Sequence, residues 1–140
     1  MTSAARRTTL TALAARDRLA AGALDATGLT AACLQRCAER DGDIRAWTHL
    51  DQQLAMGQAD RLDTQRRSGH PIGPLHGLPV GVKDIIDTAD LPTENGNPLD
   101  AGRRPESDAW LVARLRAAGA VDLGKTATTF FNDTATTETR

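Results

Sequence analysis

The first half of the chain has apolar residues at helical spacing, interrupted once by a run with the alternation of a strand. Helices are predicted over residues 8–21 and 29–40, and the second is expected to stop at Asp41-Gly42. Residues 44–50 alternate as a half-buried strand does, and Asp51 is a suitable N-cap for a third helix over residues 52–68. This half therefore predicts the order helix, helix, strand, helix.

The second half begins with a loop over residues 69–74 and continues with a short buried strand. Leu78–Val82 is β-branched and bounded by Gly and Pro, and the apolar pair Ile85 and Ile86 is expected to resume that strand. Residues 87–104 are crowded with Pro, Gly, Asn and Asp, which predicts an ordered but irregular connection.

A final helix and strand follow this connection. Ser107 or Asp108 is expected to cap a helix that runs to Ala118, Gly119 closes it, and residues 120–123 form a short strand. Because strands and helices alternate along the chain, the pattern predicts an α/β fold in which helices pack on a sheet.

Composition narrows the class of function. A chain of 140 residues has room for one ordinary domain with a core. The net charge of -1 and the pI near 6.3 provide no basic field for nucleic acid, and the few aromatic residues form no stacking platform for single strands. We therefore expect a protein that acts on a small molecule and does not bind nucleic acid directly.

The sequence also bears on location and on metals. It has no apolar run long enough to cross a bilayer, and Arg16-Asp17-Arg18 interrupts the N-terminal apolar stretch, so we expect a cytoplasmic protein without membrane contact. Cys33 and Cys37 lie one helical turn apart, where core packing is favoured over metal binding because no further His or Cys completes a site. We expect neither a metal nor a cofactor.

One lysine, Lys83, follows directly on the apolar run of the predicted strand. The segment from Gly73 to Asp84 reads Gly-Pro-Leu-His-Gly-Leu-Pro-Val-Gly-Val-Lys-Asp, and its apolar character predicts that this lysine is buried. Burial without a partner disfavours the charged form of a lysine, so the neutral amine becomes a usable base near neutral pH. A lysine that reaches solvent, or that pairs with Asp84, stays open as an alternative.

This segment resembles the lysine-bearing motif of the amidase signature family, which has a Gly-Val-Lys-Asp sequence after a Pro-Leu-His-Gly-Ile-Pro-type lead. The likeness extends over roughly residues 25–129, firmly from Gly73 onward, and an ordered series of this kind is more specific than a single short motif. Besides the lysine segment it includes Asp84 to Thr88, Thr93 to Asn97, Ser107 to Ala109, Leu115 to Ala120, and Gly124 to Thr126.

The resemblance implies the N-terminal part of the amidase signature fold, a mixed sheet flanked by helices, which is incomplete here. It also implies a serine hydrolase in which a second serine, held in a cis peptide, relays a proton and a lysine acts as base and then acid. Lys83 occupies the position of that catalytic lysine. The Gly/Ser-rich segment with both serines comes later in the family, so we expect this chain alone to lack amidase activity. Its own serines are Ser3, Ser68 and Ser107.

Other functions remain alternatives. Within the family that the chain resembles, one alternative is the glutamine-amidase A subunit of a tRNA-dependent amidotransferase, which works with partner subunits. An amidase of this family could also form a homodimer. Residues 119–126 also match the phosphate-loop pattern Gly-x-x-x-x-Gly-Lys-Thr, which indicates a nucleotide-binding protein. We disfavour that interpretation because a phosphate loop needs a strand before its first glycine and a helix at its lysine, and the order here is reversed.

Three further residues qualify the assignment of Lys83. His76 invites a general-base role, but the resemblance assigns it none, and we expect a loop histidine bonded to backbone. Lys125 matches a family position that is not the catalytic lysine. Asp84 would hold Lys83 protonated unless its carboxylate points away, which strand alternation allows.

The end of the chain departs from the family pattern. Residues 1–129 are interpreted as the N-terminal portion of an amidase signature domain and residues 130–140 as a non-native tail. The stretch from Asn132 to Glu138 matches the conceptual translation of a common sequencing adapter, and Thr-Ala-Thr-Thr occurs both at Thr126 and at Thr134. A genuine Thr-rich terminus is the alternative, and such a polar segment is expected to be disordered in either case.

Overall fold

A computed structural model of the chain describes residues 7–130 and shows four helices and three strands within them. In chain order these are α1 (Ala12–Ala20), α2 (Ala26–Ile44), β1 (Trp47–Leu50), α3 (Gln52–Arg67), β2 (Pro79–Lys83), α4 (Trp110–Ala117) and β3 (Val121–Thr126), with a short 3-10 helix at Pro98–Asp100. None of the helices in this part of the chain is long and apolar enough to span a membrane.

The three strands form one mixed sheet with β3 in the centre. β1 pairs with β3 in antiparallel orientation, and β2 pairs with β3 in parallel orientation, so the strand order is β1-β3-β2. The helices α2 and α3 pack against each other, and α3 also packs on β3. The predicted α/β fold with a mixed sheet flanked by helices is therefore confirmed.

Small and branched apolar side chains fill the space between the helices and β3. Alanines on α2 and α3 allow the two helices to approach closely, while leucines and a valine from α1, α2 and β3 supply most of the apolar surface. The buried members are Ala15, Leu19, Leu24, Ala26, Leu29, Leu34, Ala55, Ala59, Val121 and Leu123.

The predicted stop of α2 at Asp41-Gly42 is wrong, because the helix continues to Ile44. A glycine inside a helix costs about 1 kcal/mol relative to alanine, which the packing of a long helix can offset. Asp41 lies in the last turn of the helix and accepts hydrogen bonds from the two residues that follow it. Its carbonyl accepts from Arg45 N, at 2.7 Å, and its carboxylate accepts from Ala46 N, also at 2.7 Å. Arg45 takes the left-handed conformation that terminates many helices.

Two other local predictions are also wrong. Ile85 and Ile86 do not resume β2, because the chain turns after Lys83 and Ile86 N donates to the Lys83 carbonyl, at 2.9 Å. Neither Ser107 nor Asp108 caps α4, whose N-cap residue is Ala109. The Asp108 carboxylate accepts from Ala89 N instead, at 2.9 Å.

Several boundaries agree with the sequence. Asp51 caps α3 through a hydrogen bond from Leu54 N, at 2.8 Å, and Gly119 closes α4 with a φ of 89°. The connection over residues 87–104 is irregular apart from its 3-10 turn. The predicted non-native tail lies outside the described residues except for Phe130.

The N-terminus of α2 is capped by a side chain from another helix. Asp63 of α3 is 1% exposed, and its carboxylate accepts from Ala26 N, at 2.8 Å, and from Thr27 N, at 3.0 Å. The Thr27 hydroxyl donates a third hydrogen bond, at 2.8 Å. Burial by itself would raise the pKa of Asp63, but these hydrogen bonds prevail and lower it below its ordinary value. The carboxylate thus satisfies backbone donors that every helix N-terminus leaves open.

We predict that Asp63→Asn lowers the free energy of unfolding by about 1–3 kcal/mol at neutral pH, because one buried charged acceptor is lost. Since the pKa of Asp63 is lowered on folding, its stabilisation is present above about pH 4 and is lost as the pH falls through the lowered value. Denaturant unfolding of the full-length protein at pH 7 and below pH 4 measures this. Asp60→Asn, at an exposed position of α3, is the matched control. An equal effect of both substitutions at pH 7 would contradict the interpretation.

A glycine allows β1 and β3 to approach. Gly124 has a φ of 152°, and a Cβ atom at that position would lie 2.1 Å from the carbonyl oxygen of His49 on β1. We predict that Gly124→Ala destabilises the fold by about 1–3 kcal/mol, since a backbone clash forces the strands apart. Gly42→Ala in α2 meets no atom within 4 Å and should stabilise the helix by about 0.5–1 kcal/mol. Thermal unfolding of both variants tests the contrast, which fails if the two shift the midpoint in the same direction.

Candidate active site

Lys83 is the last residue of β2 and lies at the carboxyl end of a parallel strand pair. It is in register with Thr126 of β3, and its side chain is half-buried. The chain turns immediately after it into the irregular connection. In open α/β sheets the crevice outside the carboxyl ends of the strands is the usual place for ligands. Lys83 is therefore placed where a side chain can meet a bound molecule.

The fully buried lysine of this chain is Lys125 on β3, not Lys83. Lys125 is 0% exposed, whereas the sequence pattern predicted the deeper burial for Lys83. These are the only two lysines in the chain. The apolar run before Lys83 thus does not lead to full burial of its side chain.

Oxygen atoms surround the Lys125 ammonium. Nζ donates to the Ile86 carbonyl, at 2.7 Å, to the Pro92 carbonyl, at 3.3 Å, and to the Thr93 hydroxyl, at 2.5 Å. The nearest Asp84 carboxylate oxygen lies 3.6 Å away. Burial lowers the pKa of Lys125, and the Asp84 carboxylate is the main influence that opposes this.

Asp84 is also fully buried, and its carboxylate is directed towards Lys125. Oδ1 is the oxygen that faces Nζ, and it also accepts from Glu94 N, at 3.2 Å. The main chain of Asp84 is fixed as well, since its N donates to the Thr126 carbonyl, at 3.0 Å, and its carbonyl accepts from Asn95 N, at 2.9 Å. The sequence left open whether this carboxylate binds the adjacent Lys83, and the structure shows that its cationic partner is Lys125.

The sequence could not place Lys125, because β3 is irregular. Val80 pairs with Asp122 and Gly81 pairs with Gly124, so Leu123 is an extra residue on β3. An extra residue interrupts the alternation of side chains between the two faces of a strand. Counting by twos from Val121 therefore gives no secure prediction of the face on which Lys125 lies.

The phosphate-loop interpretation fails on geometry. The matching stretch, residues 119–126, begins at the glycine that ends α4 and then runs through β3. Its lysine is Lys125, which is buried among protein oxygen atoms and cannot reach a nucleotide phosphate. The structural context that this motif requires is absent from the stretch.

His76 does not make the backbone hydrogen bond expected from the sequence. The ring is 3% exposed, and neither ring nitrogen has a hydrogen-bond partner among the described residues. Burial lowers the pKa of His76, which favours the neutral ring. The backbone of His76 packs closely against Gly119, the residue that closes α4. Gly119 has no side chain, and a Cβ atom there would lie 2.9 Å from the His76 Cα.

A cavity of about 550 Å³ opens beside the turn that follows Lys83. One side of it carries an ion pair in which Arg103 donates to both carboxylate oxygens of Asp87, at 2.7 and 3.0 Å. The hydrogen bonds from Arg103 are the main reason that the pKa of Asp87 is lowered. The lining residues are Ile85, Ile86, Asp87, Asn95, Arg103, Ser107, Asp108 and Ala109.

Arg116 on α4 contacts three carboxylates, two of which lie before α4 in the chain and one on β3. Arg116 lies within 2.8 Å of Asp90, 3.3 Å of Asp122 and 3.5 Å of Asp108. Burial raises the pKa of Asp122, against the influence of Arg116. No local pattern in the sequence indicates this cluster, because its members are separated along the chain and meet only when α4 packs beside the connection.

Cys33 and Cys37 belong to the packing of α2. Cys33 packs against the core, and Cys37 lines a small cavity together with Trp47. Burial raises the pKa of both thiols. The predicted packing role for Cys33 is thus confirmed, and both cysteines are free thiols.

Comparison with known proteins matches the chain to one family. The family model described as Amidase matches residues 28–140. The glutamyl-tRNA(Gln) amidotransferase A subunit of Chloroflexus aggregans is 45% identical over 116 residues, which are 83% of this chain and 24% of that protein. The corresponding protein of Salinispora arenicola is 43% identical over 122 residues, or 85% and 25% of the two chains. The chain thus spans about a quarter of the length of the curated relatives it matches.

Solved structures give the same result for the fold. The peptide amidase from Stenotrophomonas maltophilia matches with a TM-score of 0.82 and 42% identity, over 88% of this chain and 26% of that chain. A fatty acid amide hydrolase matches with a TM-score of 0.85 and 25% identity, over 91% and 23% of the two chains. The mixed sheet and its flanking helices therefore correspond to part of a larger domain.

Proposed function

This chain belongs to the amidase family, and we propose that the protein containing it hydrolyses a carbon–nitrogen amide bond with Lys83 as its general base and acid. The observation that supports this role most directly is the position of Lys83. Lys83 is the last residue of β2, directly before the turn that lines the cavity, and it lies within the segment that carries the Gly-Val-Lys-Asp motif.

The chemistry explains why a lysine is needed there. A serine hydroxyl is a weak nucleophile until a neighbouring base removes its proton, and a neutral lysine amine can do this. The resulting ammonium can then return a proton to the departing nitrogen, so one side chain serves both steps. The oxyanion that forms on the former carbonyl also needs hydrogen-bond donors, which in this proposal come from the Gly/Ser-rich part of the full-length protein.

Neither of the two serines within residues 7–130 lies in a context that suits the nucleophile. Ser68 is exposed at the end of α3 and donates to the Thr64 carbonyl, at 2.9 Å. Ser107 lies on the cavity wall but outside any Gly/Ser-rich loop. We therefore propose that both the nucleophile and the relay serine are provided by residues beyond those present here.

A second candidate within the same reaction class is the A subunit of a tRNA-dependent amidotransferase. The two curated relatives described above carry that name and are 45% and 43% identical to this chain. In this case the amide would be that of glutamine, and partner subunits would receive the released ammonia. An amidase acting on other small amides is the leading candidate, and the two differ in whether glutamine is the substrate.

We predict that Lys83→Met lowers kcat/KM for amide hydrolysis by the full-length protein by about 10²–10⁴-fold, the usual contribution of a general base. A panel of simple amides and glutamine, assayed for released ammonia or amine, measures this and separates the two candidates. Arg61→Met removes a cation from an exposed position of α3 and is the control. Turnover retained by Lys83→Met would refute the role of this residue.

We also predict that the chain of 140 residues, purified alone, hydrolyses none of these amides, since its lysine has no suitable serine to activate. The same assay decides this at high protein concentration. Hydrolysis that disappears with Lys83→Met would show that a nucleophile is present within the chain itself.

A further inference from the structure

Asp84 poses a problem for any role of Lys83 as a base. The two residues are adjacent in sequence, and a carboxylate within about 4–6 Å of an amine favours its charged form. A protonated lysine cannot accept a proton from a serine. A protein that uses Lys83 as a base must therefore keep the Asp84 carboxylate away from it or neutralise the carboxylate with another cation.

The structure contains such a cation. Lys125 Nζ lies 3.6 Å from Asp84 Oδ1, and both side chains are 0% exposed. In a buried environment an unpaired carboxylate is costly, so the pair is strongly favoured over separation of its members. The Glu94 N–H donates to the same carboxylate oxygen, at 3.2 Å, and helps to hold it in this orientation.

Lys125 also holds the chain that follows Lys83. Its three hydrogen bonds reach the Ile86 carbonyl in the turn, and the Pro92 carbonyl and the Thr93 hydroxyl in the irregular connection. One ammonium thus fixes the segment from Ile86 to Thr93 against β3. This geometry explains why a lysine, with three donors, suits the site better than an apolar residue.

We infer that Lys125 is a positioning residue that binds the Asp84 carboxylate and so keeps it from pairing with the Lys83 amine. The inference rests on the proposed function, in which Lys83 is the base. Two other carboxylates, those of Asp122 and Asp87, also act on Lys125 from β3 and from the connection. They add negative charge around the ammonium, but Asp84 is the carboxylate adjacent to Lys83.

The test compares Lys125→Met, Asp84→Asn and the double variant in the full-length protein. The measurement is kcat/KM for an amide substrate as a function of pH, because the acid limb of this profile reports the protonation of the base. We expect Lys125→Met to move the midpoint of that limb to higher pH by about 1 unit or more, since the carboxylate loses its cation. The double variant should bring the midpoint back to about the wild-type value, because the unbalanced charge is gone.

A role confined to folding predicts a different result. In that case Lys125→Met and the double variant lower kcat/KM equally at every pH and leave the midpoint unchanged, which would overturn the inference. A midpoint raised by Asp84→Asn alone would also overturn it, because that variant removes the carboxylate. Circular dichroism and thermal unfolding show whether each variant is folded.

A second measurement covers the case in which Lys125→Met does not fold. Asp84→Asn keeps the shape of the side chain and leaves the Lys125 ammonium its three oxygen acceptors. The double variant should also fold, since removing both members of a buried pair is less destabilising than removing one. Labelling of the Lys83 amine by acetic anhydride across pH, quantified by mass spectrometry, then reports its protonation without turnover. Labelling in either variant that begins at higher pH than in the wild type contradicts the inference.

Lys83→Met separates the two proposals. If it retains turnover, the proposed function fails, and the inference loses its basis. If Lys83→Met is inactive, but Lys125→Met has the same midpoint as the wild type in the acid limb of its pH profile, only the inference about Lys125 fails.

Discussion

The fold is organised around Lys125, a lysine without solvent exposure. The Lys125 ammonium would be costly to bury alone, and the fold provides it with two carbonyls, a hydroxyl and a carboxylate. These groups all belong to the segment from Asp84 to Thr93, so their contacts with Lys125 hold that segment against β3. The turn after Lys83, and with it the position of the lysine at the strand end, follows from how that segment is held.

The central position of β3 makes this possible. The strand lies between β1 and β2, so both of its edges are paired and its side chains are enclosed. Gly124 allows close approach of β1, and the extra residue Leu123 shifts the register of β3 against β2. Small backbone irregularities in one strand thus decide where the buried charge lies.

Local signals in the sequence predicted the helices and strands well, but they predicted contacts between distant residues poorly. The order of helices and strands, the Asp51 cap and the Gly119 terminator depend on neighbours in the chain, and these were confirmed. The cap that Asp63 gives to α2 joins residues 36 and 37 positions apart. The pairing of Asp84 with Lys125 is likewise a contact between distant segments. No periodicity carries information about such contacts, so only the folded structure reveals them.

The two lysines of this chain have different surroundings. Lys125 is enclosed by acceptors, so its charge is used to hold the chain, and its amine is unavailable for chemistry. Lys83 is half-buried at a strand end, and the turn that follows it lines a cavity. In the proposed function its amine exchanges protons with the substrate. In the role that we propose for Lys125, its ammonium binds the carboxylate next to Lys83 and so makes that neighbour compatible with base chemistry. The proposed role of Lys83 therefore depends on a residue 41 positions away from Asp84.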